Sequence, residues 1–384
     1  MKDISIYFEK VSTALCEGVL NAVKLENIHS ESGFPEIDTK GIAIIYVPEF
    51  RNSNGFSGGG ANDSFRSSFY ELFQGDNWSD PIYDLGTIIP GESINDTYFA
   101  VEQVVAELVK VDVIPIVIGG GQDLTLACYK GFAALERTIN ISTIDSRLDV
   151  GDPSESVNSK GYVSQLLMQR PCYLFNYSNI GLQRPLESKE SISLFSKLYF
   201  DICRLGDFNA DFKRAEPIIR NSDLISIDFN SIKNSEIGLN DYTNVNGFKS
   251  DQICQIAKYA GMSDKLSCLG LFDINPNHNS SSDNLVAQII WYFIEGVSQR
   301  LNDFPIGSKS TYTKFHVHLD EFKDDLVFYK SDKSSRWWLE VSYPTSEKSK
   351  YERHHLVPCN HEDYKEALND KIPNLWWQTL QKLS

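Results

Sequence analysis

None of the chain's seven cysteines form a C-x-x-C pair; they are scattered from Cys16 to Cys359, and their odd number cannot close completely into disulfides. That usage is expected of a reducing compartment, where thiols serve as small apolar side chains. No apolar run approaches the ~20 residues needed to span a bilayer. The opening MKDISIYFEK lacks a basic segment followed by an apolar one, so no secretory signal is expected and a cytoplasmic protein is. Basic excess is missing as well. Lys and Arg number 36 against 52 Asp and Glu, and the formal net charge of −16 is spread along the chain. Such a surface repels phosphate backbones and anionic lipid, which argues against nucleic acid or a membrane as partner. Internal repeats and low-complexity tracts are absent too. The stretch RNSNGFSGGGANDSFRSS (51–68), rich in Gly, Ser and Asn, reads as an ordered loop between elements.

What is present is a regular alternation of apolar runs and amphipathic stretches. With 384 residues, 41% of them hydrophobic, the chain can bury a sizeable core. Strands are expected in GIAIIYVPEF (41–50), VIPIVIGG (113–120), INISTIDSRLD (139–149), CYLFNYSNIGL (172–182), SKLYFDICRLGD (196–207), SDLISIDFNSI (222–232) and KLSCLGLFDINP (265–276). Helical spacing marks 93–112, with Ser93 or Asn95 as N-cap, and 123–136, 250–262 and 282–301. Continuously apolar strands followed by helices predict a mostly parallel sheet covered on both faces, a three-layer α/β unit over 1–304. After Pro305 the pattern changes. TKFHVHLDEF, DLVFYKS and SRWWLEVSY alternate with period two, and the following residues suggest two short helices split at Pro373. Residues 305–384 are therefore expected to form a small α+β appendage.

In parallel sheets the ligand crevice lies beyond the strands' carboxyl ends. Polar clusters sit at those ends here: GGGQD (119–123), DSRLD (145–149), DFNSIKNSE (228–236) and DINP (273–276). Asp145, Arg147 and Asp149 share parity, so all three are expected to project to one side of a strand end. Asp228 and Asn230 share parity in the same way. With Gln122 they make six polar side chains expected around one cavity.

These segments resemble the ureohydrolase superfamily of arginase, agmatinase and formimidoylglutamase, and formimidoylglutamase most. That family carries a Gly-Gly-x-His loop, an Asp-Ala-His-x-Asp strand end and a Ser-x-Asp-x-Asp-x-x-Asp-Pro segment, which together hold two manganese ions. GGGQD, DSRLD and SIDFNSIKN stand here in the same order. PEFRNSNGFSGGGANDSFRSSFYEL (48–72), NSKGYVSQLL (158–167), FNYSNIGLQ (175–183) and LGLFDINPNHN (269–279) extend the resemblance over roughly the first three hundred residues. The departures carry the functional expectation. Gln122 and Arg147 stand where the family has histidines, Asn230 where it has an aspartate, and Asp273 where a substrate-side glutamate is usual. The resemblance implies that Gln122, Asp145, Asp149 and Asp228 correspond to the ligands of one ion, and that Arg147 and Asn230 correspond to ligands of the second ion alone. The second site is then expected to be abolished, with the Arg147 guanidinium in the cation's place, paired with Asp145 and Asp228. The expected cofactor is none, or one ion, with Mn2+ or Mg2+ suited to all-oxygen donors. The expected protein is a catalytically degenerate ureohydrolase working by ligand or partner binding, the alternative being a single-metal hydrolase of a linear, formimidoylglutamate-like amidine. The family also implies a homo-oligomer.

Two features fall outside the resemblance. His316, His318, His354, His355, Cys359 and His361 could be read as a zinc site. Their spacing meets no metal-ligand pattern, so surface histidines beside a core cysteine are expected. Trp337, Trp338, Trp376 and Trp377 in one appendage suggest a surface for a protein partner.

Overall fold

The computed structural model describes residues 2–53, 64–238, 244–275, 277, 280–306, 309–319, 325–344 and 351–383. Most of the Gly-rich loop expected to be ordered, residues 54–63, lies outside the described residues.

Nine strands make the main sheet. They are β1 (Phe8–Glu9), β2 (Gly41–Tyr46), β3 (Ile82–Ile88), β4 (Val113–Ile118), β5 (Ile139–Ile144), β6 (Leu174–Leu182), β7 (Asp201–Arg204), β8 (Leu224–Asp228) and β9 (Cys268–Phe272). Their order across the sheet is β1-β3-β2-β4-β9-β8-β5-β6-β7, all parallel except β1, which runs antiparallel on the edge. The β-branched runs GIAIIY and VIPIVI are buried at every position because helices cover both faces. Alternate side chains feed two cores. Ile42, Ile44 and Tyr46 pack with the Ser250–Gly261 and Ser280–Ser298 helices, while Ala43 and Ile45 pack with the Ile94–Lys110, Leu124–Ala134 and Tyr162–Leu167 helices. The architecture is the expected three-layer α/β.

The Ile94–Lys110 helix starts at Ser93, whose hydroxyl accepts from the Asp96 N–H while the Asp96 carboxylate accepts from the Ser93 N–H. Asn95 lies inside the helix instead. Strand β3, which the sequence reading passed over, carries Asp84 in a fully buried pair with Arg66. Arg66 Nε and Nη2 donate to the two carboxylate oxygens at 2.9 and 3.0 Å, and the Tyr70 hydroxyl adds a third bond at 2.8 Å.

The C-terminal residues form a second, antiparallel sheet of β10 (Tyr312–Val317), β11 (Leu326–Ser331), β12 (Trp337–Glu340) and β13 (Leu356–Cys359), followed by helices His361–Leu368 and Asn374–Leu383. Arg220 fastens this sheet to the main unit. Its guanidinium stacks over Trp338 at 4.7 Å and donates to the carbonyls of Trp337 and Cys359 at 3.1 and 3.3 Å. Among the described residues, no helix is long and apolar enough to cross a membrane.

Candidate active site

Strands β4, β9, β8 and β5 are neighbours, and the chain leaving their carboxyl ends delivers Gln122, Asp273, Asp228 and Asp149 to one small cavity of about 110 Å³, with Asp145 buried beside Asp149. The loop after β4 reaches it through three glycines. Gly119 and Gly120 take φ of +88° and +72°, which side-chain-bearing residues rarely adopt. A Cβ on Gly121 would overlap the Asp123 carboxylate and the Ser159 hydroxyl. Gln122 is thus thrust toward the cavity, and its backbone N–H donates to Asp273 Oδ2 at 3.2 Å. Asp273 is itself held at a φ of 52° and accepts from the Ser53 hydroxyl at 2.5 Å.

Four carboxyls are buried here together. Asp145 Oδ1 accepts from the Arg147 N–H at 2.9 Å, and its side chain is hydrogen-bonded to Asp149. Asp228 Oδ1 accepts from the Asn230 N–H at 2.7 Å, and the Asn230 side chain bonds the same carboxylate. Burial raises the pKa of all four. Asp149 and Asp228 are pushed well above the carboxylate range, by burial first and then by the charge of Asp145. Burial lifts Asp273 to about 7 against the opposing bond from Ser53. Asp145 is raised by burial but supported as the charged member by its bonds from Asp149 and from the Arg147 N–H. Asp149, raised further by the neighbouring Asp145 charge, holds its proton more readily than Asp145 does.

The expected role of Arg147 is not what forms. β5 ends at Ile144, and residues 145–149 turn, with Asp149 at a φ of 47°, so the period-two alternation stops where the parity argument needed it. Arg147 is exposed, and its guanidinium donates to the Leu186 carbonyl at 3.0 Å rather than pairing with Asp145 and Asp228. It lines the mouth of the cavity. Two atoms inside lack hydrogen-bond partners, Gln122 Nε2 and Asp145 Oδ2. The amide nitrogen lies close enough to Asp145 to lower its pKa, yet the two groups do not meet in hydrogen-bond geometry. Ser146, Ser159, Lys160 and Asn244 complete the lining. Lys160 and Ser159 fall in the NSKGYVSQLL stretch, whose resemblance to formimidoylglutamase was the available signal. Asn244 had none.

A sequence profile of the arginase family matches residues 61–295, more than half of the chain. The chain belongs to the arginase family. A formimidoylglutamase of Fusobacterium nucleatum is 27% identical over 139 residues, an alignment covering 33% of this arginase-family chain and 42% of that relative's length. Among solved structures, the formiminoglutamase of Trypanosoma cruzi with Mn2+ superposes with a TM-score of 0.61 at 18% identity, over 68% of this chain and 94% of that one. The formimidoylglutamase of Bacillus subtilis gives 0.62 at 17% identity, over 70% and 90%. The agmatine ureohydrolase of Thermoplasma volcanium gives 0.58 at 17%, over 75% and 98%. Those likenesses establish the fold.

Among the described residues, no three His, Cys, Asp or Glu groups converge on one ion position. The second cluster singled out in the sequence does not assemble either. His354 is buried, stacked on Phe175 at 4.2 Å with Nε2 on the Thr138 carbonyl, while His316 and His318 flank Asp325 at 3.5 and 3.1 Å on the exposed side of the second sheet. Of the four appendage tryptophans, Trp337 and Trp338 are core residues and Trp377 alone is exposed, at 45%. This withdraws half of the surface expected for a partner.

Proposed function

We propose that this arginase-family protein is catalytically degenerate and acts by binding a small polar ligand or a protein partner. The observation that carries this reading is the side chains at 122 and 147: a neutral amide stands at the tip of the glycine loop, and an exposed guanidinium is turned to the Leu186 carbonyl. Hydrolysing a C–N bond at neutral pH requires a strongly activated water, and a neutral amide at 122 with a guanidinium turned outward at 147 supplies no base for it. The cavity's own chemistry suits a small polar ligand: the amides of Gln122, Asn230 and Asn244, the hydroxyls of Ser146 and Ser159, and Lys160 line it. The division of the chain at 304/305, the partner surface on the appendage around Trp377 and a homo-oligomeric state belong to this reading.

A one-ion hydrolase of a linear amidine is the second reading. Four carboxyls buried together favour it, since a single Mn2+ or Mg2+ held by Asp145, Asp149, Asp228 and Gln122 would offset their mutual repulsion. The discriminating measurement is metal content by plasma mass spectrometry after dialysis against manganese. No ion per chain is expected. One ion would transfer support to the second reading, and two would overturn both accounts of positions 122, 147 and 230. Release of formamide or urea at enzyme-like rates by protein free of contaminating hydrolase would refute degeneracy.

A further inference from the structure

The opposite edge of the sheet holds a second polar cavity that plays no part in the site above. It has a volume of about 480 Å³ and runs across the amino ends of β2, β4 and β9, from Lys40 to Arg353. Two of its lining residues, Arg137 and Arg353, share a single buried carboxylate, Asp223, with a third cation, Lys265. Arg353 Nη2 and Arg137 Nη2 both donate to Asp223 Oδ1, at 2.8 and 3.4 Å, and the fully buried Lys265 ammonium stands 3.8 Å from Oδ2. Asp223 also accepts from the Asn140 N–H at 2.9 Å. One negative charge, with every oxygen already bonded, therefore faces three positive ones.

The surplus is visible in the groups themselves. The Nε–H of Arg137 and the Nε–H of Arg353 are both buried with no acceptor. Both guanidinium groups rest on the same carboxylate oxygen, and both residues line the same polar cavity. A buried guanidinium N–H without a partner carries the full desolvation cost of a charged donor. Burial pushes Lys265 down to about 8 despite Asp223, with the two arginines adding repulsion.

Two of the other carboxylates on the lining are engaged elsewhere. Asp80 pairs with Lys40 at 3.2 Å, and Asp264 accepts the N–H groups of Asn302 and Asp303 at 3.2 and 2.8 Å. Asp112 faces Arg137 and offsets part of its charge. Arg300 spends its donors on the Gly261 and Leu266 carbonyls at 2.8 and 2.9 Å, and so contributes charge without an open hydrogen bond.

We propose that this cavity is a binding site for a phosphate group, free or carried on a small molecule, held between Arg137 and Arg353. A tetrahedral oxyanion offers acceptors in several directions and can serve both guanidinium groups at once. Arg137 lies just before β5, whereas Arg353 lies in the segment leading into β13. A bound phosphate would thus bridge the main unit and the appendage.

The test is calorimetric titration of the full chain with inorganic phosphate at constant ionic strength, with chloride and succinate as comparison anions. A single saturable site for phosphate is expected. Losing one charge-assisted donor should weaken it roughly 10-fold or more in Arg353→Gln. Arg137→Lys keeps the charge but removes the fork, and should also weaken binding. Circular dichroism would establish that both variants are folded. A phosphate-dependent rise in the melting temperature of the unmodified protein, absent in Arg353→Gln, is the second expected readout. Three results would each overturn the proposal: no saturable phosphate heat in the unmodified protein, unchanged affinity in a folded Arg353→Gln, or tighter binding of succinate than of phosphate. None of these outcomes depends on whether the strand-end site is catalytic.

Discussion

Asparagine at position 273 is expected to stabilise the protein at pH 7 and to have little effect near pH 4. Asp273 is buried, and burial lifts its carboxyl from 3.8 to about 7 in the folded chain. A carboxyl whose folded pKa exceeds its unfolded one binds its proton more tightly when folded. Its contribution is therefore fully present below the unfolded pKa and is lost as the pH climbs through the window up to about 7. At 1.36 kcal/mol per pH unit over about three units, the loss reaches about 4 kcal/mol by pH 7. Asparagine does not titrate. It keeps an acceptor for the Gln122 N–H and adopts the φ of 52° as readily as aspartate does. The altered bond to the Ser53 hydroxyl offsets about 1 kcal/mol. The net gain expected at pH 7 is about 3 kcal/mol, vanishing toward about pH 4. Urea unfolding followed by tryptophan fluorescence, with chelator present, would compare both proteins across that range. A gain that does not change with pH, or a loss at pH 7, would refute the argument.

Three further substitutions test the framework. Arg66→Met leaves Asp84 buried without its bidentate partner and should cost about 3–5 kcal/mol in urea unfolding. Arg220→Ala removes the stacking on Trp338 and two carbonyl bonds that hold the second sheet. About 2–4 kcal/mol should be lost, with faster proteolytic cleavage in the segment between Ser298 and Tyr312. Ser93→Ala deletes the N-cap of the Ile94–Lys110 helix and should lower stability by about 1 kcal/mol, read as a shift in the urea midpoint at unchanged slope.

The central strands were legible because parallel strands buried on both faces leave unbroken apolar runs, as in GIAIIY and VIPIVI. β3 was not, because Asp84 and Gly86 interrupt its run and only the folded chain reveals that Arg66 neutralises the former. β13 has four residues including a proline, too few for a period to show. The Lys189–Lys197 helix was partly read as the start of a strand over 196–207, because the apolar residues on either side of Lys197 merge across the helix end. At the site, the gathering of Gln122, Asp145, Asp228 and Asp273 was readable from their places at strand ends. The direction of Arg147 was not, since it depends on where β5 stops hydrogen-bonding, which alternation alone does not state. Lys160 and Asn244 come from loops far apart in sequence, and only the tertiary fold brings them to one cavity.

The loop after β4 separates two responsibilities. Its course is dictated by Gly119, Gly120 and Gly121, while the residue at its tip adds nothing to that course beyond a backbone N–H. Position 122 can therefore exchange one side chain for another while the path that delivers it stays the same. A scaffold built this way fixes where a side chain is presented and leaves its chemistry to be changed by a single codon.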